Sequence, residues 1–581
     1  MATLRSYSAL ILLVSAVLFS VSATAQDKGT GAHIQYDTSY DILSPVYAKS
    51  GMVSSEHALA TQVGVDILKR GGNAVDAAVA VGFALAVVLP NAGNIGGGGF
   101  MLIHDAKSGK EIALDFRELA PALAHRDMFL DQNGKIIPGS STSSHLAVGV
   151  PGTVAGFDLA IKKYGSLPLK ELIAPAIELA EQGFTVSPHL AAMLDASRKQ
   201  LAPWPSSRAV FFRGDRPLRA GEILVQKDLA SSLRLIARDG AKAFYEGEIA
   251  KKIVAEMQKH GGLISAEDMK NYRAIERAPV TGNYRGYQVI SMPPPSSGGV
   301  HIIQMLNMLE PFPIAQQGLN SAKNVHLMAE VMKLAYADRA EYLGDPDHVK
   351  VPVQGLTSPH YAQELIKKID LKLATPSSTI KSGKPLPYES DQTTHYSVAD
   401  RHGNVVATTY TLNLLFGSGI VATGTGITLN NEMDDFSVKA GVPNAFGLIG
   451  GDANAVAAKK RPLSSMTPTM VLKDGKPFLV TGSPGGSRII TTTLQIILNT
   501  IDHQLNAAEA STALRMHHQW EPDVIRLEKG FNQDSTDKLK QMGHKLTIGR
   551  PMGRTQTIKI TSDGFEGYAD PRNPDGKALG Y

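Results

Sequence analysis

Residues 74–88 leave this chain little choice of architecture. Asn73 is placed to cap a helix there, and Val75, Ala77, Ala78, Val79, Ala80, Val81, Phe83, Ala84 and Leu85 make that helix apolar almost all round. Such a helix is buried rather than laid on a surface, and its alanines call for close packing against a sheet or a second helix. The chain has 581 residues, too many for one small core, so the helix belongs to a set of domains or to one large α/β body. A hydrophobic fraction of 43% against 19% charged residues fits a globular protein. The net charge of +4 gives no electrostatic case for a nucleic-acid partner. The absence of cysteine removes disulfides, thiol catalysis and cysteine metal sites together.

Residues 1–25 have the make-up of a secretory signal peptide. Arg5 supplies the positive charge, residues 9–19 the apolar segment, and Ala23-Thr24-Ala25 a small-x-small cleavage site before Gln26. The apolar run is short for a membrane span and is followed quickly by polar residues. The expectation is a soluble mature protein with no membrane anchor after signal removal, periplasmic or secreted.

Along the rest of the chain, residues 26–53 read as a lead-in strand and loop, and 54–57 as the cap of a helix running to about Lys69. The glycine run 96–99 lacks the Lys-Ser/Thr ending of a phosphate loop and the spacing of a dinucleotide fingerprint. It leads into a strand, which favours a tight turn with close backbone approach. Strands 100–104 and 111–116 pair, and Arg117 follows directly, where a forked guanidinium can grip a carboxylate. Helices at 153–164, 167–181, 188–199, 230–239 and 247–259 form scaffold. A strand over 284–291, a proline-rich turn at 293–299, a helix from near Val300 and helices over 322–343 and 359–369 complete this half. Residues 373–390, rich in Ser, Thr, Lys, Pro and Gly, read as an exposed, mobile linker. Strands 394–399 and 405–412 then form a hairpin.

No complete Ser-His-Asp, cysteine or metal constellation is apparent, so the best nucleophile on offer is a threonine hydroxyl, Thr393. Threonine needs a base beside it, and a chain-terminal amine can serve. That requires a cut between Gln392 and Thr393. A free α-amine titrates near about 7.7–8, so a useful fraction is unprotonated at neutral pH. Taken singly, the candidate groups have bland readings. A Thr-Thr pair is ordinary strand composition, Asp434-Asp435 a solvated pair or helix cap, and Lys459-Lys460-Arg461 a solvated basic face. His517-His518 lacks further ligands at suitable spacing, so structural or surface roles are favoured and no metal is expected. Residues 482–486 are not the Gly-x-Ser-x-Gly elbow of a serine hydrolase.

Taken in order, several segments closely resemble the γ-glutamyltransferases (γ-glutamyl transpeptidases, glutathione hydrolases). They are 392–397 (Gln-Thr-Thr-His-Tyr-Ser), 429–436 (Leu-Asn-Asn-Glu-Met-Asp-Asp-Phe), 461–468 (Arg-Pro-Leu-Ser-Ser-Met-Thr-Pro) and 481–487 (Thr-Gly-Ser-Pro-Gly-Gly-Ser), with 115–118 (Asp-Phe-Arg-Glu) and the glycine run 96–99. The resemblance covers nearly the whole mature chain. It implies an α+β, four-layer αββα N-terminal-nucleophile hydrolase fold. It also implies a precursor that cuts itself between Gln392 and Thr393 into a large subunit (26–392) and a small one (393–581), which stay together as a heterodimer. Dividing 62.0 kDa by length gives about 39 and about 20 kDa after signal removal. The implied donors are glutathione and other γ-glutamyl compounds, the acceptors water, amino acids or dipeptides, and no cofactor is implied.

The residue roles implied by the resemblance follow the same segments. Thr393 is the nucleophile, first on the carbonyl of Gln392 and then on the γ-amide, and Thr411 supports its α-amine. Arg117 holds the substrate α-carboxylate, helped by Ser464 and Ser465. Asp435 binds the α-ammonium, with Asn413 and Glu432 nearby, and the N–H groups of Gly485 and Gly486 form the oxyanion hole. Glu432 stands where some bacterial members carry glutamine. Phe446 stands in the lid loop 442–447 where several carry tyrosine, so the lid lacks a hydroxyl that would bond Asn413. A looser lid and a changed balance of hydrolysis and transfer are the expectation. Two rivals remain: a self-processing acylase on the same fold, acting on amides without an α-amino acid head, and a non-catalytic exported binding protein.

Overall fold

The computed structural model describes residues 42–385 and 395–581; the signal-peptide segment, Gln392 and Thr393 lie outside the described residues. Its centre is a pair of seven-stranded sheets, antiparallel at every pairing. One runs in the order Lys577–Gly580, Gly51–Ser55, His395–Asp400, Val405–Thr411, Gly98–Asp105, Lys110–Phe116, Ile275–Arg277. The other runs Val46–Ala48, Gly564–Ala569, Gln556–Thr561, Lys476–Thr481, Thr469–Lys473, Tyr287–Ser291, Val280–Tyr284.

Period-two alternation decides the layering. In Gly98–Asp105, Phe100 and Leu102 enter the core between the sheets, while Met101 and Ile103 face the helices outside. In Thr469–Lys473, Met470 and Leu472 point to the same inter-sheet core and Val471 to the opposite helical layer. Both sheets are therefore apolar on both faces. Helices Ala58–Lys69, Ala74–Val88 and Thr153–Tyr164 cover the first; Ser297–Leu309, Ala322–Tyr342 and Arg488–Ile501 cover the second. The result is the four-layer αββα sandwich that the sequence resemblance implies.

Helix Ala74–Val88 is buried at all fifteen positions and starts with a reciprocal capping box between Asn73 and Asp76. It lies so close to the sheet that the Tyr410 hydroxyl donates to the Gly82 carbonyl at 3.0 Å. The glycine run is a site of close backbone approach. A Cβ on Gly97 would overlap the Thr411 carbonyl, and the Gly97 carbonyl accepts from the amides of Gly152 and Thr153, where helix Thr153–Tyr164 begins.

Several readings from sequence need correction. Ser54 and Ser55 end a strand, and His57 caps the helix that follows. The strand expected over 284–291 is Tyr287–Ser291, the second arm of a hairpin whose first arm is Val280–Tyr284 and whose turn is at Arg285 (φ 52°) and Gly286 (φ 80°). Lys460 and Arg461 are buried rather than solvated: the Lys460 ammonium donates to the carbonyls of Ala453 and Ala455, and Arg461 pairs with Asp115. The expected mobile linker is, over 374–383, bonded to the body. Ala374 N–H donates to Met542 O, Ser377 N–H to Asp523, the Trp520 indole to Ser377 O, and Gly383 N–H to Asp338.

Candidate active site

Arg117 emerges from the end of strand Lys110–Phe116 with no solvent exposure. Its backbone is fixed first. The Arg117 N–H donates to Asp115, which is itself held by Arg277, and the Tyr272 hydroxyl donates to the Arg117 carbonyl at 2.7 Å. The guanidinium then reaches Asp435 at 2.7 Å, makes a short contact with Glu432, lies 3.5 Å from Glu118 and donates to the Pro462 carbonyl. Glu432 and Asp435 come from one 3-10 turn, Glu432–Asp435. The Asn430 side chain accepts from the Glu432 N–H, and Asn454 donates to the Asp435 carbonyl.

Three buried carboxylates thus crowd one guanidinium. Burial pushes the Glu118 carboxyl up to about 7 and raises Glu432 and Asp435 as well, with Arg117 pulling each back toward ionisation. Asp434 is also buried and is raised to about 6 by burial, against a hydrogen bond from Ser141. The pocket is short of positive charge, and an ammonium beside Asp435 would supply it. A guanidinium and a carboxylate side by side also match a ligand whose carboxylate and ammonium sit on one carbon.

Ser464 and Ser465 are buried beside this cluster. Arg339, from helix Ala322–Tyr342, donates to Ser297 at 3.1 Å and lies 3.5 Å from the Ser464 carbonyl and the Ser465 hydroxyl. The Ser464 Oγ and the Asn413 Oδ1 are buried and have no hydrogen-bond partner among the described residues. Buried polar groups are ordinarily satisfied, so each open one marks a place where a polar ligand group belongs.

Thr411 ends strand Val405–Thr411, and its Oγ accepts from the Asn413 N–H at 2.7 Å. Asn413 has φ 75° and donates through its side chain to the Asn431 carbonyl, next to Glu432. Gly485 (φ 139°) and Gly486 (φ 59°) form the turn between strand Lys476–Thr481 and helix Arg488–Ile501. Their amides donate to nothing among the described residues, which leaves two N–H groups at a helix N-terminus for an anion. A Cβ on Gly486 would run into the Phe446 ring, so the lid residue rests directly on one of these glycines.

Segment 442–447 divides the site. A cavity of about 260 Å³ lies beside Arg339, Asp434, Asp435 and Asn444. A second, of about 550 Å³, is lined by Thr411, Asn413, Phe446, Gly485 and Gly486. Ala445 lines both. Asn444 bonds Asp435, the Ala445 N–H donates to Asp434, and Gln519 donates to the Gly447 carbonyl. The lid therefore has anchors that do not depend on a tyrosine hydroxyl.

The structure brings Arg117, Glu432 and Asp435 into contact, and gathers Thr411, Asn413, Gly485, Gly486 and Phe446 around one cavity. Ser464 and Ser465 join the first group through Arg339. Sequence reasoning did not assign Glu118, Arg339 or Asn444. Glu118 adjoined Arg117 in one matching segment and Asn444 lay within the loop 442–447, whereas Arg339 carried no local signal. Asp434-Asp435 is a buried pair, not a solvated one. His517 and His518 are buried too; His517 is bonded to Thr491 and Gln519, a structural role.

Comparison with known proteins bears on this arrangement. The family model described as Gamma-glutamyltranspeptidase matches residues 60–580. A glutathione hydrolase proenzyme of Escherichia coli is 56% identical over 575 residues, covering 99% of this chain and 98% of that protein. The crystal structure of a cephalosporin acylase from Bacillus halodurans superposes with TM-score 0.83 at 31% identity, over 93% of this chain and 97% of the other. That of Helicobacter pylori gamma-glutamyltranspeptidase does so with TM-score 0.56 at 50% identity, over 57% of this chain and 94% of that one. With a family model spanning most of its length and a relative matched end to end, this chain is an enzyme of the gamma-glutamyltranspeptidase family.

Proposed function

We propose that the chain is a self-processing γ-glutamyltransferase in which Thr393 is the nucleophile of both the maturation and the turnover. In maturation the Thr393 hydroxyl attacks the Gln392 carbonyl, the Gln392–Thr393 C–N bond breaks, and an ester joins the two residues. Water then hydrolyses the ester, leaving a Gln392 carboxylate and a Thr393 amine. In turnover that amine takes the proton of the hydroxyl as Oγ attacks the γ-carbonyl of glutathione or another γ-glutamyl amide. The amine leaving group departs with the proton, and the γ-glutamyl ester passes to water or to an amino acid or dipeptide. The two chains, 26–392 and 393–581, remain one heterodimer, and export to the periplasm or medium follows from the leader 1–25.

The sheet register supports this assignment. His395, the first described residue after the proposed cut, pairs with Thr409, two residues before Thr411 at the end of the same strand. That end of the sheet opens on the cavity holding Gly485 and Gly486. The observation that carries the substrate class is the buried Arg117–Asp435 contact beside open polar atoms of Ser464 and Asn413. It fits a glutamyl α-carboxylate on Arg117 and Ser464, and an α-ammonium against Asp435 and Glu432.

Because a cephalosporin acylase shares the fold, the discriminating experiment compares a γ-glutamyl amide with the glutaryl amide of the same leaving group. The mature enzyme should turn over only the first at an appreciable rate. Asp435→Asn should lower its kcat/KM by about 10–100-fold, the weight of one charge-assisted hydrogen bond. Equal rates on the two amides would favour the acylase reading.

A further inference from the structure

We infer that His145, Glu256 and His260 form a binding site for one divalent transition-metal cation, zinc being the best match. Glu256 and His260 stand one helical turn apart at the end of helix Glu248–His260, and His145 reaches them from the turn His145–Ala147. The Nε2 atoms of both histidines converge on the same carboxylate oxygen, Glu256 Oε1, at 3.2 and 3.5 Å. The three ligand atoms all lie within 4.8 Å of one another.

Of those separations, the 3.2 Å one is a hydrogen bond at the long end of the range and the 3.5 Å one lies beyond it. They are the edges of a metal tetrahedron: with metal–ligand bonds of about 2.0–2.1 Å, neighbouring ligand atoms sit about 3.3–3.5 Å apart. The surroundings hold the donors in place. The two imidazoles stack at 4.6 Å with Trp204 edge-on to both. The other Glu256 oxygen accepts from the Thr423 hydroxyl at 2.7 Å, which orients the carboxylate with Oε1 turned to the two imidazoles. His145 and Glu256 are buried, whereas the His260 side chain is 33% exposed, so ions can enter and water can complete the coordination.

The second histidine cluster offers a contrast. His326, Glu330 and His544 are also close together, but the His544 Nε2 and His326 Nδ1 bond each other at 2.7 Å, the His326 Nε2 bonds the Asp370 carbonyl, and Glu330 bonds Lys333. Its groups are engaged by residues outside the cluster, Asp370 and Lys333, whereas the His145–Glu256 bond lies within the proposed site. The proposed site also touches the reaction pocket indirectly. Residues 140–147 carry Ser141, bonded to Asp434, and the Thr142 carbonyl, bonded by Asn431. A cation on His145 would brace that wall.

The test uses the full processed enzyme, stripped with EDTA, dialysed and titrated calorimetrically with zinc chloride, with bound metal counted by mass spectrometry. One zinc per chain is expected, together with a Tm raised by a few degrees when zinc is in excess. His260→Ala and Glu256→Gln should each weaken binding at least about tenfold, and His544→Ala should leave it unchanged. His260 is partly exposed, so its loss leaves the fold intact, which near-ultraviolet circular dichroism verifies. No zinc uptake by wild type, uptake that survives His260→Ala, or uptake lost with His544→Ala would each overturn the inference.

Discussion

The Arg117 guanidinium is held by Asp435, Glu432, Glu118 and the Pro462 carbonyl, and its backbone by Asp115 and Tyr272, so the side chain is preorganised for the ligand proposed above. The excess of carboxylates around it has a measurable consequence. Glu118 has a folded-state pKa near 7, above its ordinary 4.5. For an acid shifted upward, the associated stability is complete below about 4.5 and is lost as pH rises through 7. Stability should therefore fall between pH 4.5 and 7, and Glu118→Gln should flatten that decline; a variant whose Tm–pH curve parallels wild type would contradict it. Gly486 is constrained twice, by its φ of 59° and by the Phe446 ring. Gly486→Ala must move either the amide or the lid. A fall in kcat of about 10²–10³, the cost of one oxyanion donor, is expected with little change in Tm; unchanged kcat in a folded variant would remove Gly486 from the oxyanion hole.

Among the elements, segment 442–447 is the proposed lid. Its anchor is Asn444, bonded to Asp435 and, through Oδ1, accepting from the amides of Phe446 and Leu448. Asn444→Ala should release the segment and raise KM several-fold more than it lowers kcat, read from steady-state kinetics; a pure kcat effect would mean the lid does not gate binding. The open Asn413 Oδ1 is the natural partner of a hydroxyl placed at 446. Phe446→Tyr should shift the ratio of transfer to hydrolysis, measured with and without a dipeptide acceptor, and an unchanged ratio would show that this bond does not control partitioning. Strands such as Gly98–Asp105 and Val405–Thr411 were legible because a short run of apolar and β-branched residues bounded by turn residues is a local pattern. The hairpin at Arg285-Gly286 was not, since a two-residue turn barely interrupts that pattern. The 374–383 segment read as free because its composition is that of a linker, while the groups that hold it, at Asp338, Asp523 and Met542, are distant in sequence.

Across the whole molecule, two antiparallel sheets and two helical layers bring segments from both sides of residue 393 into one site. Strand His395–Asp400 pairs with Gly51–Ser55 on one side and Val405–Thr411 on the other. A chain end created just before it would stay anchored in the sheet. The site was legible in part for a related reason. Motifs of several residues named Arg117, Asp435 and the glycine pair, whereas burial of Lys460, Arg461 and the Asp434-Asp435 pair depends on partners that only the fold supplies. The same holds for the 145/256/260 triad, whose spacing carries no signal in one dimension. The central claim is that Thr393 frees its own amine and then uses it. N-terminal sequencing of the bands on a denaturing gel tests this most directly. The account predicts two bands, of about 39 and about 20 kDa by share of the 62.0 kDa chain. The smaller should begin at Thr393, and Thr393→Ala should give a single uncut, inactive chain. An active enzyme that runs as one intact chain, or a small band beginning elsewhere, would contradict it.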